Sequence, residues 1–192
     1  IVNDYICDES DTYSKNPSFS KALKEKLAAL IAQAENVSGV DGKYALIQEF
    51  SKTFNEIILS KRAYVQLFAA ALALEEAMFA LVEIEEIDMD AVSQMILEIQ
   101  EAYVSGSYTT EEALAKVEEV NALEFMPVKV DDAYQIENKM HMAVFSAIVN
   151  KLDNKANAVV LNDIDMTGIV LSPIGIDAAG HRFCGTFDGQ GH

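Results

Sequence analysis

Apolar positions recur at helical spacing through the first 124 residues. Leu23, Leu27, Leu30, Ile31 and Ala34 form one apolar stripe that runs to about Val37. Asn16-Pro17 offers it a cap and a first-turn proline. Ser38-Gly39 and Asp41-Gly42 are expected to make the next turn. A second periodic stretch runs from Lys43 to about Glu86, through Leu46, Ile47, Phe50, Phe54, Ile57, Ile58, Val65, Phe68, Leu72, Phe79 and Val82. It holds neither Pro nor Gly, so one helix of about 44 residues is allowed, with a break near Ser60–Arg62 as the alternative. Asp88 or Asp90 caps a third helix carrying Val92, Met95, Ile96, Ile99 and Tyr103 and stopped at Gly106. Thr109-Thr110-Glu111-Glu112 is a capping-box pattern opening a fourth helix through Leu114, Val117, Val120 and Leu123. Short turns demand antiparallel neighbours. The expected architecture is therefore an elongated antiparallel helical bundle over residues 16–124, preceded by a flexible segment at residues 1–15.

The pattern changes in residues 125–192. Six of the nine glycines follow Thr167, which marks a shift from helices to tight-turned strands. Val128–Val130 and Ala133–Ile136 suit short strands, and Asn138 can cap a helix bearing Met142, Phe145, Ile148 and Val149. From Ala156 to Gly168 a strand is expected, with Val159 and Leu161 in one parity and Ile164 and Met166 in the other. The phase slips at Asn162-Asp163, which calls for a bulge or a corner. Corners between short strands are what a parallel β-solenoid needs at each turn.

Charge narrows the function classes. The chain has 192 residues, 14 Lys+Arg and 31 Asp+Glu, for a net charge of −17. Such a balance argues against nucleic acid, whose binders displace counterions with a basic surface. It also disfavours anionic membrane surfaces. The longest unbroken apolar run, Leu67–Leu74, is shorter than a bilayer span, so no membrane insertion by this chain is expected. Cys7 and Cys184 could pair, but no Cys/His spacing suggests a metal site.

Two resemblances extend this reading. Glu101 to Leu114, Glu-Ala-Tyr-Val-Ser-Gly-Ser-Tyr-Thr-Thr-Glu-Glu-Ala-Leu, is similar to phrases in the small helical FIVAR modules of bacterial surface proteins. Asn162-Asp163-Ile164-Asp165-Met166, then Ser172-Pro173-Ile174-Gly175, then Phe183 to His192 resemble the start of GLUG-type right-handed β-helix regions. Leu171 departs from the aromatic usual before that turn, and Cys184 occupies a variable position. The resemblance implies an α+β chain: the helical bundle, then at 125–192 the cap and first coil of a right-handed parallel β-helix. It brings no catalytic set with it. A lone coil leaves an unpaired strand edge, so a fragment of a longer protein, with edge-to-edge homodimerisation, is expected.

Candidate chemistry is sparse. Asp163 and Asp165 share one side of a strand, and could bind Ca²⁺ or work as acid and base, or else cap a corner. Asp188 reads as a turn residue, with Gly189 and Gly191 supplying positive φ. Glu83, Glu85, Glu86, Asp88 and Asp90 read as a solvated acidic face, since Ser93 stands where a calcium loop requires glycine. His141 reads as a helix-surface residue, and His181 and His192 lie in turn-rich segments without a nucleophile beside them. No catalytic, cofactor or metal residues are assigned. The expected function is a non-catalytic module of a secreted or cell-surface bacterial protein, a stalk, adhesive or interaction region that meets a protein or glycan. The alternative is the N-terminal part of a secreted β-helix enzyme, a polysaccharide lyase or hydrolase, whose active site lies outside this chain. A carbohydrate-binding platform finds little support, with no Trp and 7 Tyr.

Overall fold

The computed structural model describes residues 19–81, 87–169, 171–175 and 182–192. They form α1 (Lys21–Ala34), α2 (Val40–Ala80), α3 (Met89–Ser105), α4 (Thr110–Asn121), β1 (Lys129–Val130), β2 (Ala133–Ile136), α5 (Lys139–Lys151), β3 (Asn157–Val160) and β4 (Phe187–Asp188). These residues group into two compact units. One is built from the described residues up to Phe68 with Glu98–Val117, the other from Ala69–Leu97 with Glu118–His192.

In the first unit, Phe19, Leu27 and Ile57 are fully buried together, with Leu23 and Phe50 packed against them. The entry to α1 is fixed from two sides. The Ser20 N–H donates to Ser60 Oγ at 3.0 Å, and the Lys21 N–H donates to the Gly106 carbonyl at 2.7 Å. Gly106 has φ +66°, and a Cβ there would stand 2.7 Å from the Phe19 carbonyl oxygen, so only glycine fits. The expected cap at Asn16 and Pro17 lies outside the described residues, as does the segment 1–15; α1 itself begins at Lys21. Between α1 and α2, Gly39 takes φ +82°, whereas Asp41-Gly42 belong to the first turn of α2 rather than to the connection. No break occurs near Ser60–Arg62: α2 is continuous over 41 residues. The capping box forms as its spacing implies. The Glu112 N–H donates to Thr109 Oγ1 at 3.2 Å, and the Thr109 N–H donates to Glu112 Oε2 at 2.8 Å.

Tyr64 is fully buried, its ring 6.1 Å from that of Tyr103 and its hydroxyl donating to the Tyr108 carbonyl at 2.8 Å. Burial pushes this hydroxyl up from its ordinary value near 10 to about 12. The folded state therefore holds the proton more tightly than the unfolded chain. Its contribution is full below pH 10 and is lost as pH rises through 10 to 12, a fall of about 2–3 kcal/mol. Urea unfolding at pH 9 and pH 11.5 should show this loss, and Tyr64→Phe should shrink it. Thr53 has the opposite problem. Its hydroxyl is buried without a partner among the described residues, so Thr53→Val is expected to raise stability by about 1 kcal/mol. A lower unfolding midpoint for that variant would contradict the assignment.

The second unit holds one four-stranded sheet in the order β1-β2-β3-β4. β1 and β2 are antiparallel, while β2–β3 and β3–β4 are parallel, with Ala133–Ile136 in register with Asn157–Val160. The crossover between the parallel pair is α5, opened by Asn138, whose side chain accepts the His141 N–H at 2.9 Å. Phe145 is fully buried, with ring centroids of Tyr134, Phe183 and Phe187 at 5.9, 6.4 and 5.9 Å.

This architecture corrects the expected one. Strands of two to four residues in one small mixed sheet do not make a β-helix coil. β3 ends at Val160, the Leu161 N–H donates a last bond to the Ile136 carbonyl at 2.9 Å, and Asn162–Gly168 leave the sheet instead of turning a corner within a strand, so the slip in hydrophobic phase is where the ladder stops. Nor is one elongated bundle shown: α2, α3 and α4 each divide their residues between two compact units.

Candidate interaction surface

Within the first unit α2 carries apolar residues on two faces. At about 100° per residue, Phe50, Thr53, Ile57, Ser60, Tyr64 and Leu67 share one face. Of these Thr53, Ile57, Ser60, Tyr64 and Leu67 are buried. Val40, Tyr44, Ile47, Phe54, Ile58 and Val65 fall on a second face, about 120° around the axis. Five of them are open to solvent: Val40 84%, Tyr44 63%, Ile47 61%, Val65 50% and Ile58 36%. Scattered exposed apolar residues are ordinary on a protein surface, but several aligned on one helix face, here broken only by Ser51 and Lys61, mark a candidate place of contact.

From Val40 to Phe68 the acidic residues are Asp41, exposed beside Val40, and Glu49 and Glu56, both of which Lys26 of α1 binds at 3.0 Å. The hydrogen bond and charge of Lys26 hold the Glu49 carboxyl below the usual carboxylate range. The cations Lys43, Lys52 and Arg62 are exposed, and Lys61 Nζ lies 5.5 Å over the Phe19 ring. Sequence reading missed this surface by merging both faces into one apolar helix. Sorting the residues by angle would have separated them.

The residues singled out for chemistry do other work. Asp165 accepts the Thr167 N–H at 2.9 Å and its hydroxyl at 2.6 Å, closing a turn, and these bonds lower its carboxyl pKa. Asp163 Oδ1 stands 3.1 Å from His192 Nδ1, with the Asp163 side chain almost fully exposed. Asp188 accepts the Gln190 N–H at 3.0 Å; positive φ there falls on Gln190 and Gly191 rather than on Gly189. Asp88 caps α3 through the Ala91 N–H at 3.0 Å. Among the described residues no group of three or more His, Cys, Asp or Glu could hold a metal ion. Glu83, Glu85, Glu86, His181 and Cys7 lie outside the described residues. Cys184 is an exposed free thiol.

His141 corrects its expectation. It is buried, with Nδ1 accepting the Glu137 N–H at 3.3 Å and Nε2 2.9 Å from the Glu124 carbonyl. Those two partners assign the neutral ring with its proton on Nε2, so its task is to tie the start of α5 to the chain before β1. Farther along α5, Ser146 donates to the Ser172 carbonyl at 2.6 Å. Asn150 donates to the Pro173 carbonyl at 2.9 Å and accepts the Gly175 N–H at 2.8 Å. The Ser-Pro-Ile-Gly turn is thus held by a buried polar edge of the helix. Beside it a cleft of about 440 Å³ opens between Glu76 and Phe79 of α2 and Ala143, Ala147 and Lys151 of α5. Its walls are mixed, with the apolar Phe79, Ala143, Ala147 and Leu171 beside Glu76, Asn150, Lys151 and Ser172.

By length and composition α2 also contains an 18-residue window apolar enough to cross a membrane, with mean hydropathy 1.5, and 44% of that window is buried here. A core helix of a soluble domain meets the same criterion. Comparison with family models, curated proteins and solved structures finds no match for the chain.

Proposed function

We propose that this chain is a non-catalytic interaction module of a secreted or cell-surface protein, which meets a protein partner through the open face of α2. The observation that carries this reading is the stripe Val40, Tyr44, Ile47, Ile58 and Val65, held out to solvent by a helix whose other face is buried. Burying such a stripe against a partner removes apolar area from water at about 25 cal/mol per Å², a driving force that needs no chemistry at the site. The FIVAR-like phrase around Gly106 and the GLUG-like phrases after Asn162 support placement at a bacterial surface, although no coil of the kind the latter implied is found among the described residues. The net charge of −17 keeps nucleic acid and anionic lipid from the list of partners.

Antibodies raised against the purified chain test the placement. Intact cells of the producing organism, or their medium, should be labelled without permeabilisation. Labelling only after lysis would overturn it. The chain should also release no reducing ends from a panel of acidic and neutral glycans.

A further inference from the structure

We infer that the cleft between α2 and α5 binds a small zwitterion with an apolar side chain, a free amino acid or a dipeptide. The cleft lies wholly in the second unit, so it stands apart from the open face of α2 in the first. Glu76 of α2 and Lys151 of α5 line it from separate helices with opposite charges. Yet they form no ion pair with each other, and neither has a hydrogen-bond or ionic partner among the described residues. Opposite charges that face one space without meeting leave a gap for a molecule that carries both.

The sign of the ligand follows from this pair. An anion drawn to Lys151 is repelled by Glu76, and a cation drawn to Glu76 is repelled by Lys151. A ligand of one charge would also strip water from the unmatched group and return nothing for it. A zwitterion answers both: its ammonium donates to the Glu76 carboxylate, and its carboxylate accepts from Lys151 Nζ. The rest of the wall suits an apolar side chain. Phe79 is 75% exposed, so a side chain laid against its ring removes apolar area from water. Ala143 and Ala147, one turn apart on α5, leave the floor low. The volume of about 440 Å³ lies within the range of small-molecule sites, about 300–1,000 Å³, and an extended dipeptide is about 7 Å long. The edge of the cleft is already fixed. Ser146 holds the Ser172 carbonyl, and Asn150 holds the Pro173 carbonyl and the Gly175 N–H, so little ordering is left for the ligand to bring about.

Isothermal titration calorimetry with the full chain tests this with leucine and leucyl-leucine as probes. N-acetyl-leucyl-leucine lacks the cation, and leucyl-leucine amide lacks the anion. At least one of the zwitterions should bind saturably, and about tenfold or more tightly than either blocked form, as loss of a charge-assisted hydrogen bond implies. Glu76→Gln should weaken the zwitterion about tenfold without weakening the N-acetyl form, and Lys151→Met should weaken it about tenfold without weakening the amide. Both side chains reach solvent, so the melting curves should not move. Phe79→Ser should also weaken binding, and Ile47→Ser in the first unit should leave it unchanged. No heat of binding from either zwitterion at millimolar concentration overturns the inference. So do equal affinities for free and blocked forms, or a zwitterion affinity that neither Glu76→Gln nor Lys151→Met lowers. Any of these results leaves the reading of the α2 face standing, because the labelling of intact cells does not depend on the cleft.

Discussion

Phe145→Ala is expected to destabilise the protein by about 3–5 kcal/mol, the cost of removing a fully buried aromatic ring whose surroundings relax only in part. The ring is reached from three strand-side positions, Tyr134 of β2, Phe183, and Phe187 of β4, so its loss empties the space between α5 and the sheet. Phe145 has no exposed surface, and its neighbours Val144 and Val149 are equally covered. Chemical unfolding followed by circular dichroism gives the change directly. Phe145→Leu, which keeps most of the volume, should cost clearly less. A loss under about 1 kcal/mol for the alanine variant would mean that these rings do not form the core of the second unit.

Gly185→Ala should be comparably damaging for a steric reason. A Cβ at this position would overlap the Ala156 carbonyl oxygen and stand 2.8 Å from its carbon, and backbone atoms cannot swing aside as a side chain can. The surrounding ladder leaves no slack. The Cys184 N–H donates to the Asn154 carbonyl at 2.7 Å, the Ala158 N–H to the Thr186 carbonyl at 2.9 Å, and the Thr186 N–H to Asn157 Oδ1 at 2.9 Å. Overpacking of this kind costs about 1–3 kcal/mol when neighbours can shift, and more when they are backbone. Gly189→Ala is the control, since the nearest atom to its Cβ would be 4.0 Å away. Limited proteolysis should cut Gly185→Ala within residues 182–192 while sparing Gly189→Ala. Equal resistance of the two variants would contradict the close approach of Gly185 to Ala156.

Local signals were legible in the sequence because they act over three or four residues. Thr109 with Glu112, Asn138 ahead of α5 and Asp88 ahead of α3 all cap as their positions imply. The apolar periods located the five helices of the described residues, and the short strands at Lys129–Val130 and Ala133–Ile136 lie where expected. What failed depends on contacts distant in sequence. β3 stops at Val160 because its parallel partner β2 ends at Ile136, and nothing within residues 157–168 records that length. His141 reads as a helix-surface residue when only a ligand pair at i+3 or i+4 is sought, yet it is buried against the Glu124 carbonyl, seventeen residues earlier. Ser146 and Asn150 were passed over because their partners, Ser172, Pro173 and Gly175, lie more than twenty residues away. The solenoid expectation rested on turn phrases that the structure uses, but short motifs fix turns rather than the number of strands between them.

The two-faced character of α2 underlies the functional reading, and thiol accessibility tests it most directly. With Cys7 and Cys184 replaced by Ser, single cysteines are placed at Ile47 and Val65 on one face and at Ile57 and Leu67 on the other, and their rates of reaction with a maleimide are compared under native conditions. Ile47→Cys and Val65→Cys should react nearly as fast as in the unfolded chain, and Ile57→Cys and Leu67→Cys at least about a hundredfold more slowly, because the last two open only with local unfolding. Equal protection at all four positions would show that the stripe is already covered and would contradict the account.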